Sequence, residues 1–287
     1  MSKTHVVSWS EIDCFRQCPF KHMLSYKQRW TKTPRVGSPL SRGSLFHSVL
    51  EAHYLCLQSG GSLADAREVV DPLFFSNGEQ NEDQVMVQWI YEGYIALYAD
   101  DPNWKVVAVE YANEFWLPTA SGTRSNFKLK LKIDLIVQDP ARRLWIVDHK
   151  TCKDLPTEKM MELDDQFGLY TWGLRQLGKT VHGAMHNACR TTRYKDPNKP
   201  QPLDERFRRT LLYRTDEELD RIALEAYATA RRAWSDSPIG EQPERNPNTD
   251  TCRWRCDYTE DCLASRKGVD LREMLVAHGF EQNFERH

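Results

Sequence analysis

Two acids and a lysine stand at the ends of two apolar segments that a short turn connects. Asp134 lies near the end of the first segment, and Asp148 and Lys150 follow the second as part of Asp-His-Lys. Carboxylates bind hard divalent cations such as Mg²⁺, and a neighbouring ammonium can orient a water or stabilise negative charge on a phosphate. The three residues therefore predict metal-dependent hydrolysis of a phosphodiester.

The pattern around these residues predicts a β-hairpin. Apolar side chains at every second position from Phe127 to Leu135 indicate a strand, and its opposite face carries three lysines and then Asp134. Residues 139–141 predict the turn, and Asp148 and Lys150 project together from a second strand over residues 144–149. Pairing would bring the two acids close. An Asp-x-Lys triplet alone is short and frequent, and by itself it more often marks ordinary strand-end residues.

Two predicted helices supply further candidate side chains. His47 lies in an amphipathic helix over residues 43–58 and shares its face with Glu51, one turn later. Gln166 and Tyr170 are likewise one turn apart, in a helix predicted over residues 162–177. Either pair alone would more often be structural than catalytic.

Three of the eight cysteines lie close together near the C-terminus, at Cys252, Cys256 and Cys262 in a C-x3-C-x5-C spacing. Three thiolates leave one position of a four-ligand centre open, and the candidates to fill it are Cys18 and Cys14. We find no signal peptide at the N-terminus, and clustered cysteines then predict a metal site rather than disulfides. The remaining cysteines are predicted to be buried fillers: Cys56, Cys152 and Cys189.

The order of these candidate residues resembles that of the PD-(D/E)XK nuclease superfamily, and specifically its RecB-like branch. The residues that carry the resemblance are His47, Asp134, Asp148-x-Lys150 and Gln166-x3-Tyr170. The resemblance spans most of the chain. It implies an α/β nuclease core with a mixed central sheet flanked by helices, and the activity of a metal-dependent DNA exonuclease.

The resemblance also implies roles for the site residues. His47, Asp134 and Asp148 would ligate Mg²⁺ or Mn²⁺, with the main-chain carbonyl of His149 as a further ligand. Lys150 would position or activate the attacking water.

Further residues follow from the same resemblance. Gln166 and Tyr170 would contact the DNA strand and order the active site. Two other acids lie nearby in the sequence, Glu51 and Glu110, and we assign both to structural roles.

The split arrangement of the cysteines, with one near the N-terminus and three near the C-terminus, resembles the iron-sulfur nucleases. This group comprises the AddB nuclease domain and the CRISPR-associated RecB-like exonucleases. The resemblance implies a structural 4Fe-4S cluster on Cys18, Cys252, Cys256 and Cys262 that joins the two ends of the chain. The spacing departs from the C-x2-C-x5-C expected there and from ferredoxin runs, and a four-cysteine zinc site is the alternative.

Length and composition predict one globular domain over residues 1–287, and the resemblance implies that it is a nuclease domain. The apolar fraction of 40% and the charged fraction of 28% are typical of globular proteins, and no apolar run is long enough to span a membrane. We expect a cytoplasmic protein. The pattern predicts a helical region over about 1–100, a sheet core over about 105–213, and a C-terminal helix with the cysteine segment over about 215–287.

The net charge of −2 does not indicate a nucleic-acid binder, but a nuclease needs only a local cationic lining. The candidate phosphate contacts are Lys128, Lys130, Lys132, Arg190, Arg193, Lys195 and Lys199. The resemblance implies single-stranded DNA or DNA ends as substrate, in end processing, recombination or CRISPR spacer processing. Helicase or CRISPR integration proteins are the implied partners. One alternative is a catalytically silent DNA-binding module, against which the complete set of site residues counts. The other is a partner-dependent module of a helicase-nuclease or CRISPR integration complex, which the sequence leaves open.

Overall fold

The structure is a computed structural model that describes residues 4–98, 104–196, 198–235 and 242–284. Its strands are β1 His5–Ser8, β2 Trp30–Thr31, β3 Lys105–Pro118, β4 Arg124–Gln138, β5 Leu144–Cys152, β6 Val181–Arg190, β7 Phe207–Leu212 and β8 Glu281–Gln282. Its helices are α1 Trp9–Gln17, α2 Pro19–His22, α3 Pro39–Gln58, α4 Leu63–Val70, α5 Glu82–Tyr98, α6 Glu158–Glu162, α7 Asp165–Gln176, α8 Leu203–Arg206, α9 Asp216–Ala233, α10 Thr249–Arg255, α11 Thr259–Arg266 and α12 Leu271–Ala277. Within the described residues, no helix combines the length and the apolar character needed to cross a membrane.

The strands form one mixed sheet with the order β1-β4-β5-β6-β7, in which β3 also pairs with β4. The pairs β1–β4 and β5–β6 are parallel, whereas β4–β5 and β6–β7 are antiparallel. The helices α3, α5 and α7 pack against β5 and β6. The predicted α/β fold with a mixed central sheet flanked by helices is therefore confirmed. The short strands β2 and β8 form a separate antiparallel pair.

The hairpin of β4 and β5 has the predicted form. Leu135 pairs with Val147 across it, and the alternate apolar side chains of β4 from Phe127 to Leu135 are all buried. In the turn, the Asp139 carboxylate accepts a hydrogen bond from the amide of Arg143 at 2.9 Å. The periodicity of two was therefore sufficient to predict which face of β4 carries Asp134.

The N-terminal region, predicted to be mostly helical, also contains a short strand. Residues His5–Ser8 form β1, which pairs in parallel with Phe127–Lys130 of β4. Four residues are too few to show a period of two, so the strand gave no signal in the sequence. Ser8 ends this strand and also caps α1, where its hydroxyl accepts a hydrogen bond from the amide of Glu11 at 3.2 Å.

The C-terminal region also differs from the prediction of one helix followed by a cysteine segment. After α9, three short helices, α10 to α12, and the strand β8 occupy the described part of this region. Asn248 caps α10 by accepting a hydrogen bond from the amide of Thr251 at 3.0 Å. Because such short helices span only two turns each, they do not produce the sustained apolar repeat that would predict them.

The helix predicted over residues 162–177 corresponds to α7, which begins at Asp165, and the short helix α6 precedes it. Asp164 lies between them and caps α7, because its carboxylate accepts a hydrogen bond from the amide of Gln166 at 2.9 Å. Gly173 lets α7 approach the sheet closely, since a methyl group at this position would overlap Leu131 and press on Phe115. The cap and the glycine together fix the position of the helix that carries Gln166 and Tyr170.

The chain divides into two compact units. The first unit comprises Met1–Thr33, Trp116–Lys130 and Ala223–His287, and the second comprises Pro34–Phe115 and Leu131–Ile222. A buried cluster that includes Phe20, Tyr258 and Phe280 forms a core in the first unit. A larger cluster, which includes Phe46 and Tyr94, forms a core in the second. The assignment of residues 1–287 to a single nuclease domain stays a prediction.

Candidate functional site

The hairpin of β4 and β5 places Asp134 beside the Asp-His-Lys triplet, within the second unit. Oδ2 of Asp134 accepts a hydrogen bond from the main-chain amide of His149 at 2.8 Å. Asp134 and Asp148 are close enough for the negative charge of Asp134 to raise the pKa of Asp148. The hairpin thus brings together the two acids that the sequence predicted to converge.

Asp148 and Lys150 form an ion pair in which the carboxylate is buried and the lysine side chain is 40% exposed. Nζ of Lys150 lies 2.9 Å from Oδ2 of Asp148, whose side chain is 1% exposed. Burial and the charge of Asp134 together raise the pKa of Asp148 to about 6, although Lys150 opposes both. Burial would lower the pKa of Lys150, but the two carboxylates outweigh it and the pKa is raised. Lys150 is therefore held as an ammonium.

His47 joins the acids from α3. This helix begins at Pro39 after Ser38, whose hydroxyl caps it by accepting a hydrogen bond from the amide of Ser41. Nδ1 of His47 lies 3.4 Å from Oδ2 of Asp134. Burial opposes ionisation of Asp134, yet this contact lowers the pKa of Asp134 to about 2. The same contact raises the pKa of His47 against the opposing effect of burial.

Glu110 of β3 also lies at this site. One ligand atom each of His47, Glu110 and Asp134 lie within 4.8 Å of one another. Glu110 has a φ of +48°, and it forms an ion pair with Lys132. The strand pattern gave no signal for this position, because a left-handed residue interrupts the alternation on which the prediction relies. The structure thus gives Glu110 the position of a candidate ligand, whereas the sequence suggested a structural acid.

Gln166 and Tyr170 lie beside the acids on α7. Nε2 of Gln166 donates a hydrogen bond to the hydroxyl of Tyr170 at 2.6 Å. The Tyr170 side chain is buried, and burial raises its pKa well above the usual value, as do the charges of Asp148 and Asp134. These two side chains are therefore held together within electrostatic reach of the site.

The His149 side chain points away from the acids and into the protein interior. Its ring stacks on Tyr54 with centroids 5.9 Å apart, and Nδ1 lies 3.5 Å from Nδ2 of Asn187. Burial lowers its pKa to about 3, so the imidazole is neutral. His149 consequently offers the site its main chain and not its ring.

A family model of the PD-(D/E)XK nuclease superfamily matches residues 6–263, which include every residue of this site. The chain belongs to this superfamily. Among solved structures, a candidate exonuclease from Eubacterium rectale aligns with a TM-score of 0.50 and 18% identity over 88% of each chain, which supports the fold. Another, SSO0001, has a TM-score of 0.37 and 10% identity over 91% of this chain and 87% of that chain. No match was found among curated proteins.

The donor set of this PD-(D/E)XK nuclease superfamily member fits a hard divalent cation. The carboxylates of Glu110 and Asp134 offer oxygen ligands beside the imidazole nitrogen of His47. Asp148 is not in this cluster, but it is near enough to Asp134 for their charges to interact. Several carboxylates at one place repel each other unless a cation lies between them. Oδ2 of Asp148 accepts no hydrogen bond with good geometry although it is fully buried. The site thus has a carboxylate oxygen suited to a metal ligand.

In the first unit, four cysteines line one cavity. The cavity has a volume of about 220 Å³, and Cys18, Cys252, Cys256 and Cys262 are all in its wall. One water molecule takes about 30 Å³, so this space exceeds what a single ion needs. Among the described cysteines, no three sulfurs lie within 4.8 Å of one another. A tetrahedral zinc ion, with bonds of about 2.3 Å, holds its sulfurs about 3.8 Å apart. The described cysteine sulfurs are therefore not gathered at the spacing of a tetrahedral zinc site.

The other cysteines lie outside this wall. Cys14 is buried, it is not among the residues that line the cavity, and burial raises its pKa to about 12. Cys189 is fully buried, as predicted, whereas Cys56 and Cys152 are only half-buried. The prediction of buried fillers is therefore wrong for these two residues, which lie near the ends of α3 and β5.

Several of the cationic side chains predicted to contact phosphates have partners within the protein. Lys132 pairs with Glu110, Arg190 donates hydrogen bonds to the carbonyl of Lys153 and to Asp154, and Arg193 stacks on Trp89. The Nζ atoms of Lys128 and Lys199 lie over the rings of Trp116 and Tyr194. Lys130 and Lys195 are exposed. The candidate phosphate contacts are therefore not equivalent, because the paired cations would first have to leave their partners.

Proposed function

We propose that this protein is a divalent-metal-dependent DNA exonuclease of the RecB-like, iron-sulfur type. The observation that carries this proposal is the convergence of Asp134, His47 and the Asp148–Lys150 ion pair in a chain of the PD-(D/E)XK superfamily. A buried carboxylate such as that of Asp148 is costly to ionise, which favours a role in chemistry over a role in stability.

In this proposal, His47, Asp134, Asp148 and the main-chain carbonyl of His149 hold Mg²⁺ or Mn²⁺. The bound ion would lower the pKa of a water ligand and offset negative charge on the scissile phosphate. Lys150 donates a hydrogen bond that orients the attacking water or stabilises the charge that develops on phosphate oxygens. Its contact with Asp148 fixes the ammonium beside the metal ligands.

The proposal gives α7 the task of ordering the substrate. The hydrogen bond between Gln166 and Tyr170 leaves the amide oxygen of Gln166 and the remaining positions of the hydroxyl group for contacts with a DNA strand. DNA with free ends or single-stranded DNA is the proposed substrate. The description of the Eubacterium rectale protein as an exonuclease supports a substrate with free ends. Helicase or CRISPR integration proteins are the proposed partners, and DNA end processing, recombination or spacer processing is the proposed setting.

We further propose a structural 4Fe-4S cluster on Cys18, Cys252, Cys256 and Cys262. The cavity that these four residues line, with its volume of about 220 Å³, supports a cluster over a single zinc ion. The main-chain amide of Asn246 lies 3.5 Å from Sγ of Cys18, a contact of the kind that stabilises thiolate ligands.

The activity should depend on a divalent metal. We expect cleavage of end-labelled DNA in Mg²⁺ or Mn²⁺ and none in excess chelator, because the carboxylates alone cannot activate water. Ca²⁺ should inhibit, since its larger radius and looser geometry position water less well. Undiminished cleavage in chelator would contradict the proposal. Binding of DNA without cleavage in any metal would favour the alternative of a silent or partner-dependent module.

DNA affinity should fall steeply with salt, and the exposed Lys130 on β4 should contribute to this dependence. Replacing Lys130 with Gln should reduce the slope of log K against log salt by about 0.7 to 0.9, the value for one lost phosphate contact. Lys179, an exposed lysine in the turn after α7, is the matched control and its replacement by Gln should leave the slope unchanged. Fluorescence anisotropy in Ca²⁺ measures both, and equal slopes for the Lys130 variant and wild type would exclude this contact.

A further inference from the structure

We infer that Glu110 is an additional protein ligand of the divalent cation, and that Lys132 neutralises it until the metal binds. The inference rests on the proposed function, because it concerns the same metal site. It differs from the sequence-based ligand set, in which Glu110 had a structural role. It also assigns Lys132 to the metal site and not simply to the DNA-binding surface.

The positions of the donor atoms support a ligand role for Glu110. Its carboxylate, the imidazole of His47 and the carboxylate of Asp134 come from β3, α3 and β4, and their nearest donor atoms lie within 4.8 Å of one another. One ion in contact with all three would have ligands of the types that Mg²⁺ and Mn²⁺ accept. The Glu110 side chain is 13% exposed, so its charge is held largely out of solvent beside a second carboxylate.

The backbone at Glu110 is consistent with a special position. With φ at +48°, Glu110 adopts a left-handed conformation that a residue with a side chain rarely takes inside a strand. Such conformations persist where the surrounding structure maintains them, and they concentrate at functional sites. The left-handed backbone supports a ligand role for Glu110. The main evidence for that role is the closeness of its donor atom to those of His47 and Asp134.

Lys132 supplies the positive charge that the carboxylates need in the absence of metal. Its ammonium contacts Oε2 of Glu110, and it is also attracted by Glu51 and Asp134. The Lys132 side chain is 66% exposed, so its ammonium can be solvated by water after it leaves Glu110. A divalent ion carries twice the charge of an ammonium and can bind several oxygens at once. We therefore expect metal binding to displace Lys132, which then becomes available to a DNA phosphate next to Asp134.

Titration calorimetry with Mn²⁺, on the full chain and without DNA, tests the ligand role. Glu110→Gln removes the charge at nearly constant size, and it should weaken Mn²⁺ binding by at least about 10-fold, as the loss of a metal-site carboxylate does. Glu51→Gln is the matched control, because Glu51 is an exposed acid one turn after His47 on α3. It should change the affinity by less than about 3-fold, the size of a screened charge effect.

Titration calorimetry with Mn²⁺ also tests the exchange, in which the metal ion displaces Lys132 from Glu110. Lys132→Gln should tighten Mn²⁺ binding by about 2- to 5-fold, the range that corresponds to breaking a partly exposed ion pair. Lys130→Gln is its control, since Lys130 precedes Lys132 by one strand period and is also exposed, and it should leave the Mn²⁺ affinity within about 2-fold of wild type. In addition, Lys132→Gln should reduce the gain in DNA affinity that Ca²⁺ produces in the wild type, because the released ammonium is missing.

Unfolding temperatures in chelator show whether each variant is folded. The Lys132→Gln measurement can be interpreted even if the Glu110→Gln variant does not fold. Equal Mn²⁺ affinity of Glu110→Gln and wild type would overturn the ligand role. Equal weakening by Glu110→Gln and Glu51→Gln would do the same, because it would indicate a general charge effect. Weaker Mn²⁺ binding by Lys132→Gln would overturn the exchange. A wild-type protein that binds no Mn²⁺ would overturn the proposed function as well, whereas the other outcomes leave it intact.

Discussion

Replacing Lys150 with alanine should abolish DNA cleavage and yet leave Mn²⁺ binding close to that of the wild type. An ammonium is not a metal ligand, but it is the donor that faces the reacting phosphate in the proposed site. Loss of one such donor reduces catalysis by about 10²- to 10³-fold. Release of labelled nucleotide and Mn²⁺ calorimetry, performed on the same preparation, measure the two properties separately.

The two aspartates should behave differently from the lysine. Asp134→Ala and Asp148→Ala should lose both cleavage and Mn²⁺ affinity, because each removes a carboxylate ligand. Circular dichroism should show that the sheet and helices survive in all three variants. Cleavage at the wild-type rate by the Lys150 variant would remove this lysine from the mechanism. Lost Mn²⁺ binding in the Lys150 variant would instead assign it a role in assembling the site.

Removal of any one of Cys18, Cys252, Cys256 and Cys262 should eliminate the iron and strongly destabilise the first unit. Protein purified without oxygen should be brown and should bleach on reduction, because charge transfer from thiolate to iron absorbs visible light. Metal binding energy contributes directly to folding energy. In the chain-entropy approximation, a cross-link between Cys18 and Cys252 restricts the unfolded chain by about 5 kcal/mol. Iron content, visible absorbance and urea unfolding measure the effect of each alanine variant.

Cys14→Ala is the matched control for the cysteine variants. Cys14 lies one helical turn before Cys18 but is not among the residues that line the cavity, so colour and iron should remain. Only a modest loss of stability is expected, from the removal of one buried thiol. A colourless wild-type protein with one zinc ion per chain would contradict the cluster but not the nuclease. Loss of iron with Cys14→Ala, and not with Cys18→Ala, would identify the wrong N-terminal ligand.

The parts of the fold that could be predicted are those in which one local pattern persists over many residues. β4 alternates apolar and polar side chains from Phe127 onward, and this was enough to predict the strand, its buried face and the position of Asp134. The short strand at His5–Ser8 could not be predicted, because its stability comes from pairing with residues 127–130, more than one hundred positions later. The local sequence does not indicate a pairing partner so far along the chain.

The same distinction applies to the candidate site. Asp148, Lys150 and Asp134 could be located because a hairpin connects residues that are close in the sequence. His47 could be included only because the order of motifs resembled a known superfamily. The approach of Glu110 to His47 and Asp134 could not be predicted, since it depends on an irregular backbone in β3. Lys132 was predicted to be a candidate phosphate contact on the strand face, and its ion pair with Glu110 on another strand gave no signal in the sequence.

Metal-dependent cleavage of DNA can be tested by the release of nucleotides from end-labelled DNA. The purified wild type and Asp148→Asn are prepared identically and compared. This substitution keeps the size of the side chain and removes the charge that the metal site requires. We expect the wild type to release nucleotides in Mn²⁺ and none in chelator, and the variant to release them at least about 10²-fold more slowly. Equal release by the two proteins, or release that does not depend on metal, would contradict the proposed metal-dependent nuclease.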